Sequence, residues 1–396
     1  MKICLIPSAK LSYESGSTLY AAMVANRLTD LGHDVHVICS ELPKKSVEKA
    51  TFHLIDILEH PVIDDYPVSN RDLLDTMNKL EEHLFAILSE EEFDVVHAHY
   101  ATFNSLAAIK VAKTLFGVPL VLSCFGRDVF NGFENDRRYR RMVEISVHGA
   151  DAIVCSNESV LAKVRLLGAK CPTEILRMPV DDSQFSLSST ENRVREKYGC
   201  KEKDIVVLNI ASCFAQEKGI DTAIEGFAKV SQSFNNAKLL IVGGDEHPEL
   251  INEHRLRKMV KRLCLEDKVI FTGYVSHSDI PQYIAEADIF IDSRLVGNYS
   301  SVILESLSMG KAILASDAPG NREFIKHGEN GLLYAHGDAD ALSQSLAKLI
   351  AEKELSSALS SRAKAWFAEN KSFYALYDHI KHLEKIYLYV RENSAP

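Results

Sequence analysis

The chain alternates short runs of consecutive apolar residues with longer segments in which apolar residues recur every three or four positions. The short runs, such as 2–7, 34–39 and 94–98, are rich in Val, Ile and Leu and predict strands of a parallel sheet that is buried on both faces. The longer segments, such as 18–31 and 71–89, predict amphipathic helices that cover the sheet. The first half of the sequence is therefore typical of a doubly wound α/β domain.

The same alternation restarts after residues 179–200, which show little periodicity, are rich in Ser and Asp and form the predicted linker between two domains. Residues 43–70 have no regular pattern and are predicted to be irregular. The last predicted helix, 373–391, carries a stripe of apolar residues, including Phe373 and Tyr377, and so requires a surface to pack on. Its own pattern does not identify the domain that provides this surface.

Composition narrows the class of protein. The 396 residues exceed the usual size of a single core, and 46% hydrophobic with 25% charged residues is ordinary for a globular protein. A net charge of -10 argues against a nucleic-acid partner. No apolar run approaches the roughly 18 residues of a membrane span, and the cysteines form no Cys-x-x-Cys pair. We therefore expect a cytoplasmic protein with reduced thiols and no integral membrane segment.

Residues 297–316 carry the clearest chemical signal, because they read as a loop, a helix opened by serines and a buried strand. Ser300 or Ser301 can cap this helix, whose first free amides would then bind a phosphate. Glu305, about one turn further on, would repel a phosphate but can accept hydrogen bonds from a ribose diol. Amides that donate hydrogen bonds to a phosphate, followed by an acid that accepts hydrogen bonds from ribose, predict a bound nucleotide.

The negative charge of a diphosphate must be balanced by positive charge. The sequence has no His-Glu-x-x-His or Asp-x-Asp motif that would bind a metal, and no G-x-x-x-x-G-K-[ST] phosphate-binding loop. No metal is needed to explain the sequence. Lys218 lies in a loop that leaves the predicted strand 205–211 and opens a helix, which places it at the carboxyl edge of the second sheet. Lys218 is therefore predicted to bind the diphosphate.

Several segments occur in the same order as in one enzyme family. They are Lys218–Gly219, 269–275, 287–293, 298–316, 319–324 and 327–333 in the second half, and 32–35, 94–99 and 150–156 in the first. Each segment alone is a weak signal, but their order and spacing over nearly the whole chain resemble the glycosyltransferase family four type of GT-B enzymes. These are nucleotide-sugar-dependent transferases, mostly of retaining stereochemistry.

The resemblance implies a GT-B fold of two facing Rossmann-like domains, with the last helix returning to the N-terminal one. The implied domains are 1–178 with 373–396 on the acceptor side, and 179–372 on the donor side. The implied activity is a retaining, metal-independent hexosyl transfer in carbohydrate biosynthesis. The donor would be a nucleotide sugar, with UDP favoured over GDP, bound as a substrate so that no cofactor is required. The acceptor would be the hydroxyl of a sugar, a glycan or another compound.

Family positions also imply individual roles. Glu305 matches the acid that bonds the ribose, and Ser301 and Val302 match the backbone amides that hold the distal phosphate. Tyr274 matches the strand end whose backbone reads the base, and Gly16 matches a flexible loop near the phosphate. The other residues predicted to contact the donor are Ser212, Lys218, Arg294, Asn298 and Ser300.

Three departures from the family pattern affect the donor site. Gly297 stands where the family usually has an acid that contacts the sugar, Cys213 with Ser212 stands where it usually has Arg, and Phe125 stands where it often has His. Arg294 is a candidate replacement cation, because it is near in sequence.

On the acceptor side, His99 is a candidate replacement imidazole, and Asp128 is a candidate for orienting sugar or acceptor. Lys218 would stabilise the leaving group during catalysis. A structural hydrogen-bonding role for His99 and a loop-capping role for Asp128 are the alternatives.

Two other functions remain open at this point. The departures are compatible with a non-catalytic or regulatory relative that binds nucleotide or a peripheral partner protein, and a nucleotide-sugar epimerase would use the same scaffold. The basic segment 137–141 is short and follows Asn135-Asp136, which favours a solvated helix start over a membrane-binding surface. We therefore expect a soluble or peripheral acceptor.

Overall fold

The computed structural model describes residues 1–7, 16–42, 50–56, 70–130, 136–186, 193–244, 251–296 and 300–394. The chain divides into two compact units, Met1–Pro179 with Phe373–Pro396, and Val180–Ser372. Within the described ranges, no helix is both long and apolar enough to cross a bilayer.

The strands of the N-terminal unit are Lys2–Ile6 (β1), Asp34–Cys39 (β2), Thr51–Leu54 (β3), Val95–His99 (β4), Leu120–Cys124 (β5), Ala152–Cys155 (β6) and Thr173–Ile175 (β7). In the part of the chain that is described, they form one parallel sheet in the order β3-β2-β1-β4-β5-β6-β7. The prediction of an irregular segment at 43–70 is wrong where β3 lies. This edge strand has only four residues and no buried one, so it leaves no apolar run in the sequence.

The strands of the C-terminal unit are Ile205–Ala211 (β8), Ala237–Gly243 (β9), Val269–Phe271 (β10), Ile289–Asp292 (β11), Ala312–Ser316 (β12) and Leu332–Tyr334 (β13). As far as the structure is described, they form a parallel sheet in the order β10-β9-β8-β11-β12-β13. All residues of β11 and β12 are buried, as expected for strands covered on both faces. The predicted doubly wound α/β arrangement is therefore confirmed in each unit.

Helices flank both sheets. In chain order they are Gly16–Asp30 (α1), Asn70–Glu90 (α2), Phe103–Ala108 (α3), Thr114–Phe116 (α4), Arg127–Phe130 (α5), Arg137–Gly149 (α6), Glu158–Leu166 (α7), Val194–Lys197 (α8), Ile220–Ser233 (α9), Ile251–Arg262 (α10), Ile280–Glu286 (α11), Ser301–Ser308 (α12), Pro319–Arg322 (α13), Ala339–Ala351 (α14), Lys353–Glu369 (α15), Lys371–Tyr374 (α16) and Leu376–Asn393 (α17). A π-helical turn, Ile109–Lys113, joins α3 to α4.

The last helix, α17, packs on the N-terminal unit. Its buried stripe, which includes Ile380, Leu383 and Tyr387, joins the core formed with α1 and the central strands. Phe373 and Tyr377 were predicted in this stripe, but they are 58% and 56% exposed. Phe373 belongs to the separate short helix α16, and Tyr377 lies about 100° around α17 from the preceding stripe residue.

Strand order places the candidate ligand-binding edge of the second sheet between β8 and β11. These two strands are hydrogen-bonded neighbours, while the chain connects β8 to β9 on one side and β11 to β12 on the other. In doubly wound folds a crevice opens at such a switch point, outside the carboxyl ends of the strands. Ala211 and Asp292 end the two strands there, so the loops that follow them face this crevice.

Candidate functional site

The loop after β8 is held against the loop after β11. The backbone carbonyl of Lys218 accepts a hydrogen bond from Ser293 Oγ at 3.0 Å, and the carbonyl of Glu217 accepts one from the Leu295 amide at 2.8 Å. Gly219 has φ 61°, and a Cβ at this position would lie 2.0 Å from the Ser293 carbonyl oxygen. Only glycine allows this approach, which fixes the loop next to the start of α9.

Lys218 brings a positive charge to this edge. Its side chain is half-buried, and among the described residues its ammonium group has no hydrogen bond or ion pair. An ammonium group at the carboxyl end of a parallel strand, without a carboxylate partner, is available to an anionic ligand.

The end of β11 and the loop after it form an ion pair between buried Asp292 and half-buried Arg294. The Arg294 side chain donates from Nε to both oxygens of Asp292, at 2.9 and 3.1 Å, and from a terminal nitrogen to Ser300 Oγ at 2.8 Å. Asp292 also accepts hydrogen bonds from Ser300 Oγ at 2.7 Å and from Asn321 Nδ2 at 3.2 Å. Burial raises the pKa of Asp292, but the Arg294 charge and these hydrogen bonds outweigh it and hold the pKa below its usual value.

This pairing bears on the predicted role of Arg294 as a replacement cation for the diphosphate. Asp292 compensates the charge of Arg294, and the guanidinium bridges Asp292 to the helix cap Ser300. The structure thus places Arg294 in the framework that holds the start of α12.

The N-terminus of α12 presents free amides. Ser300 is the N-cap, and its side chain accepts a hydrogen bond from the Ile303 amide at 3.4 Å. The amides of Ser301 and Val302 come before the first residue that can donate within the helix, so they have no intrahelical acceptor. Both residues are half-buried. Together with the helix dipole, these amides can bind a phosphate or another anion.

Glu305 lies one turn into α12 and is only 3% exposed. Its Oε1 is 2.9 Å from Nε2 of His277, whereas its Oε2 is buried and has no hydrogen-bond partner among the described residues. A buried carboxylate oxygen without a donor is unfavourable by itself, and such atoms in native structures require an explanation. A ligand hydroxyl that donates to Oε2 supplies one.

Tyr274 follows Gly273, which has φ 72°, in the turn after β10. The amide of Gly243, at the end of β9, donates to the Gly273 carbonyl at 3.1 Å, so the ends of these two strands are tied together. Tyr274 is 44% exposed and borders a cavity of about 630 Å³ that Tyr283 also lines. The segment that begins with Tyr274 continues into the short helical turn His277–Asp279, and His277 contacts Glu305.

Two other donor-side predictions can be placed. Ser212 is exposed in the loop after β8, and Gly16 is exposed at the first residue of α1 in the N-terminal unit. Gly297 and Asn298 lie outside the described residues. Among the residues that are described, no group of three or more His, Cys, Asp or Glu side chains is arranged to hold a metal ion.

Asp128 in the N-terminal unit is fully buried and caps a loop. One carboxylate oxygen accepts from the amides of Phe125 at 3.1 Å and Gly126 at 2.9 Å, and the other accepts from the Ala101 amide at 3.0 Å. Burial raises its pKa, and hydrogen bonds from backbone amides partly oppose this. The geometry therefore corresponds to the loop-capping alternative for Asp128, because its oxygens are committed to the backbone.

His99 is also fully buried, between the rings of Tyr20, His97 and Phe125, whose centroids lie 4.8 to 5.4 Å away. Neither ring nitrogen has a hydrogen-bond partner among the described residues. Burial lowers the pKa of His99 to about 3, so the ring is neutral at physiological pH. In this arrangement His99 is a packed core residue.

Sequence reasoning missed the partners that hold these groups. His277 and Asp292 were not singled out, although each binds a predicted site residue, Glu305 or Ser300. It also missed a buried network in which His97 contacts Tyr387 and His379 contacts Tyr20 across α17. For the contact between His277 and Glu305, the sequence offered one signal, namely that His277 lies only three residues after the predicted site residue Tyr274.

Comparison with known proteins identifies the class. The family model Glycosyltransferase Family 4 matches residues 15–184, and the model Glycosyl transferases group 1 matches residues 190–366. The N-acetyl-alpha-D-glucosaminyl L-malate synthase of Bacillus anthracis is 24% identical over 363 residues, which cover 88% of each chain.

Solved structures give the same fold. The sucrose-phosphate synthase of Thermosynechococcus elongatus has a TM-score of 0.79 at 16% identity, covering 98% of this chain and 99% of that one. The Anabaena protein HepE, in complex with UDP and glucose, has a TM-score of 0.75 at 18% identity with the same coverage. These likenesses place the chain among two-domain α/β proteins with the GT-B fold. It belongs to glycosyltransferase family four, as the two family models indicate, and it is a glycosyltransferase.

Proposed function

We propose that this glycosyltransferase moves a hexosyl group from a UDP-sugar to an acceptor hydroxyl, with retention of configuration and without a metal ion, in the cytoplasm. The donor is a substrate bound by the C-terminal unit, and no cofactor takes part. The acceptor is a sugar, a glycan or another soluble or peripheral hydroxyl compound.

One observation carries the proposal: Oε2 of Glu305 is buried and has no partner among the described residues, and it lies one turn behind the amides of Ser301 and Val302, which have no intrahelical acceptor. The amides suit a phosphate and the carboxylate suits ribose hydroxyls, and a nucleoside diphosphate contains both groups. The UDP in the HepE crystal structure supports the choice of uridine.

The proposed chemistry follows from charge. Cleavage between the sugar and the diphosphate builds negative charge on the leaving group, which Lys218 and the amides at the start of α12 stabilise. The leaving phosphate then accepts the proton of the attacking hydroxyl on the same face of the sugar. No protein nucleophile is required in this step. This agrees with the buried positions of Asp128 and His99, which we do not propose as groups that contact substrate.

Binding of UDP tests the donor site. We expect UDP to raise the melting temperature of the full chain in the presence of EDTA, because a ligand at a hundred times its dissociation constant adds about 2.7 kcal/mol of stability. GDP and ADP should give smaller shifts. Glu305→Ala should weaken UDP binding about 10- to 100-fold, since hydrogen bonds to a charged group stabilise by about 1.5–3 kcal/mol.

Glu329→Ala, which removes an exposed glutamate of the same unit, is the matched control and should bind UDP like the wild-type protein. Absence of any shift with all three nucleotides would refute the donor site. A shift with UDP but no UDP release from UDP-sugars, with or without candidate acceptors, would favour the non-catalytic alternative. For an active enzyme, the anomeric configuration of the product, measured by NMR, decides between retention and inversion.

A further inference from the structure

His277 lies where two parts of the proposed donor site meet. It begins a helical turn, His277–Asp279, three residues after Tyr274, and its Nε2 contacts Glu305 Oε1 at 2.9 Å. The side chains of His277 and Glu305 are 18% and 4% exposed, so bulk water has little access to this contact. The helical turn that follows Tyr274, the proposed base contact, is therefore hydrogen-bonded directly to Glu305, the proposed acceptor of ribose hydrogen bonds.

The imidazole of His277 is held by groups other than Glu305. Its ring packs on Phe185, with 5.2 Å between the ring centroids and 52° between the planes. The carbonyl of Phe185 in turn accepts a hydrogen bond from Ser308 Oγ, at the end of α12, at 3.4 Å. His277 is thus fixed relative to α12 before any ligand binds.

This support determines how Glu305 presents its second oxygen. A free glutamate side chain rotates about three bonds, and ordering it on binding costs conformational entropy. When Oε1 is bonded to a fixed imidazole, the direction of Oε2 is fixed as well, and Oε2 is the buried atom without a partner among the described residues. We propose that His277 is a positioning residue that directs Glu305 Oε2 at the ribose hydroxyls of the donor, and so makes the site selective for ribonucleotides. The proposal rests on the proposed donor site.

The test compares the dissociation constants of UDP and of 2′,3′-dideoxyuridine diphosphate, measured by calorimetry on the full chain. In the wild-type protein, we expect loss of both hydroxyls to weaken binding about 10- to 100-fold. In His277→Ala, UDP should bind about 10-fold more weakly while the dideoxy compound is unaffected, so that the ratio falls by about the same factor. His277→Gln, whose side-chain amide still donates toward Glu305, should restore most of the ratio.

His254→Ala removes an exposed histidine of α10 and should leave both constants unchanged, which makes it the control for the loss of an imidazole. The dideoxy compound reports whether the site of each variant is folded. Equal weakening of both ligands in His277→Ala would show a general structural role and overturn the inference, and so would an unchanged ratio. A wild-type protein that binds neither compound would instead refute the donor site itself, so the two failures are distinguishable.

Discussion

Acidification to about pH 5 should strongly destabilise the N-terminal unit, because unfolding lets three buried histidines accept protons that the folded protein excludes. His97, His99 and His379 are at most 2% exposed. Burial lowers the pKa of His99 and His379 to about 3, and burial, reinforced by repulsion from these two neighbours when they are protonated, lowers the pKa of His97 well below its usual value. All three rings are therefore neutral in the folded protein.

The sign of the effect follows from the unfolded state, in which a histidine titrates near pH 6.5. Below that pH the unfolded chain binds protons that the folded chain excludes. The free energy of unfolding then falls by about 1.4 kcal/mol per histidine and pH unit, down to about pH 3. At about pH 5 the loss is about 6 kcal/mol for the three histidines, compared with about 5–15 kcal/mol of total stability in a typical domain. Asp128 opposes this weakly, because burial raises its pKa.

Denaturant unfolding followed by circular dichroism between about pH 8 and about pH 4.5 measures this slope. His99→Phe is the most informative variant. The ring nitrogens of His99 have no partner among the described residues, so replacing the ring with phenyl leaves no former hydrogen-bond partner unsatisfied. This variant should reduce the pH dependence by about 1.4 kcal/mol per pH unit. His83→Gln, at an exposed position of α2, should not change it. A His99→Phe protein with the wild-type slope would contradict the burial argument.

The sequence predicted most strands well because parallel strands buried on both faces leave continuous apolar runs. Ile205–Ala211 and Ala312–Ser316 have the predicted bounds. Thr51–Leu54 was not found, because a four-residue edge strand buries none of its side chains and so leaves no run. The sequence signal of a strand therefore depends on the burial of its side chains, and the edge strand β3 has no buried side chain.

Site groups were predictable where one helix carries them together. Ser300 and Glu305 lie on or beside α12, so their spacing in the sequence gives their spacing in the structure. Contacts between distant segments were not predictable, such as His277 with Glu305, 28 residues apart. Arg294 was predicted as a cation for the diphosphate from proximity alone, and its pairing with Asp292 became visible only in the structure.

Asp292→Ala should destabilise the C-terminal unit by up to about 3–5 kcal/mol, because it leaves the guanidinium of Arg294, whose side chain is only 13% exposed, without its carboxylate. Asp292 is 6% exposed and accepts hydrogen bonds from Arg294, Ser300 and Asn321. The same change removes the acceptor that orients the hydroxyl of Ser300, the cap of α12. We therefore expect the variant to bind UDP more weakly as well, if the amides of this helix hold the phosphate.

A double-mutant cycle measures the ion pair separately from the cap. Arg294→Met is made alone and in the Asp292→Ala background, where it removes the uncompensated charge, so the double variant should be more stable than Asp292→Ala alone. Asp340→Ala, which removes the partner of Lys229 in an exposed ion pair of the same unit, should leave the melting temperature nearly unchanged. If the two single effects simply add in the double variant, the charge of Arg294 is compensated by other groups. In that case the ion pair with Asp292 does not stabilise the start of α12, and the assignment of Arg294 to that framework is overturned.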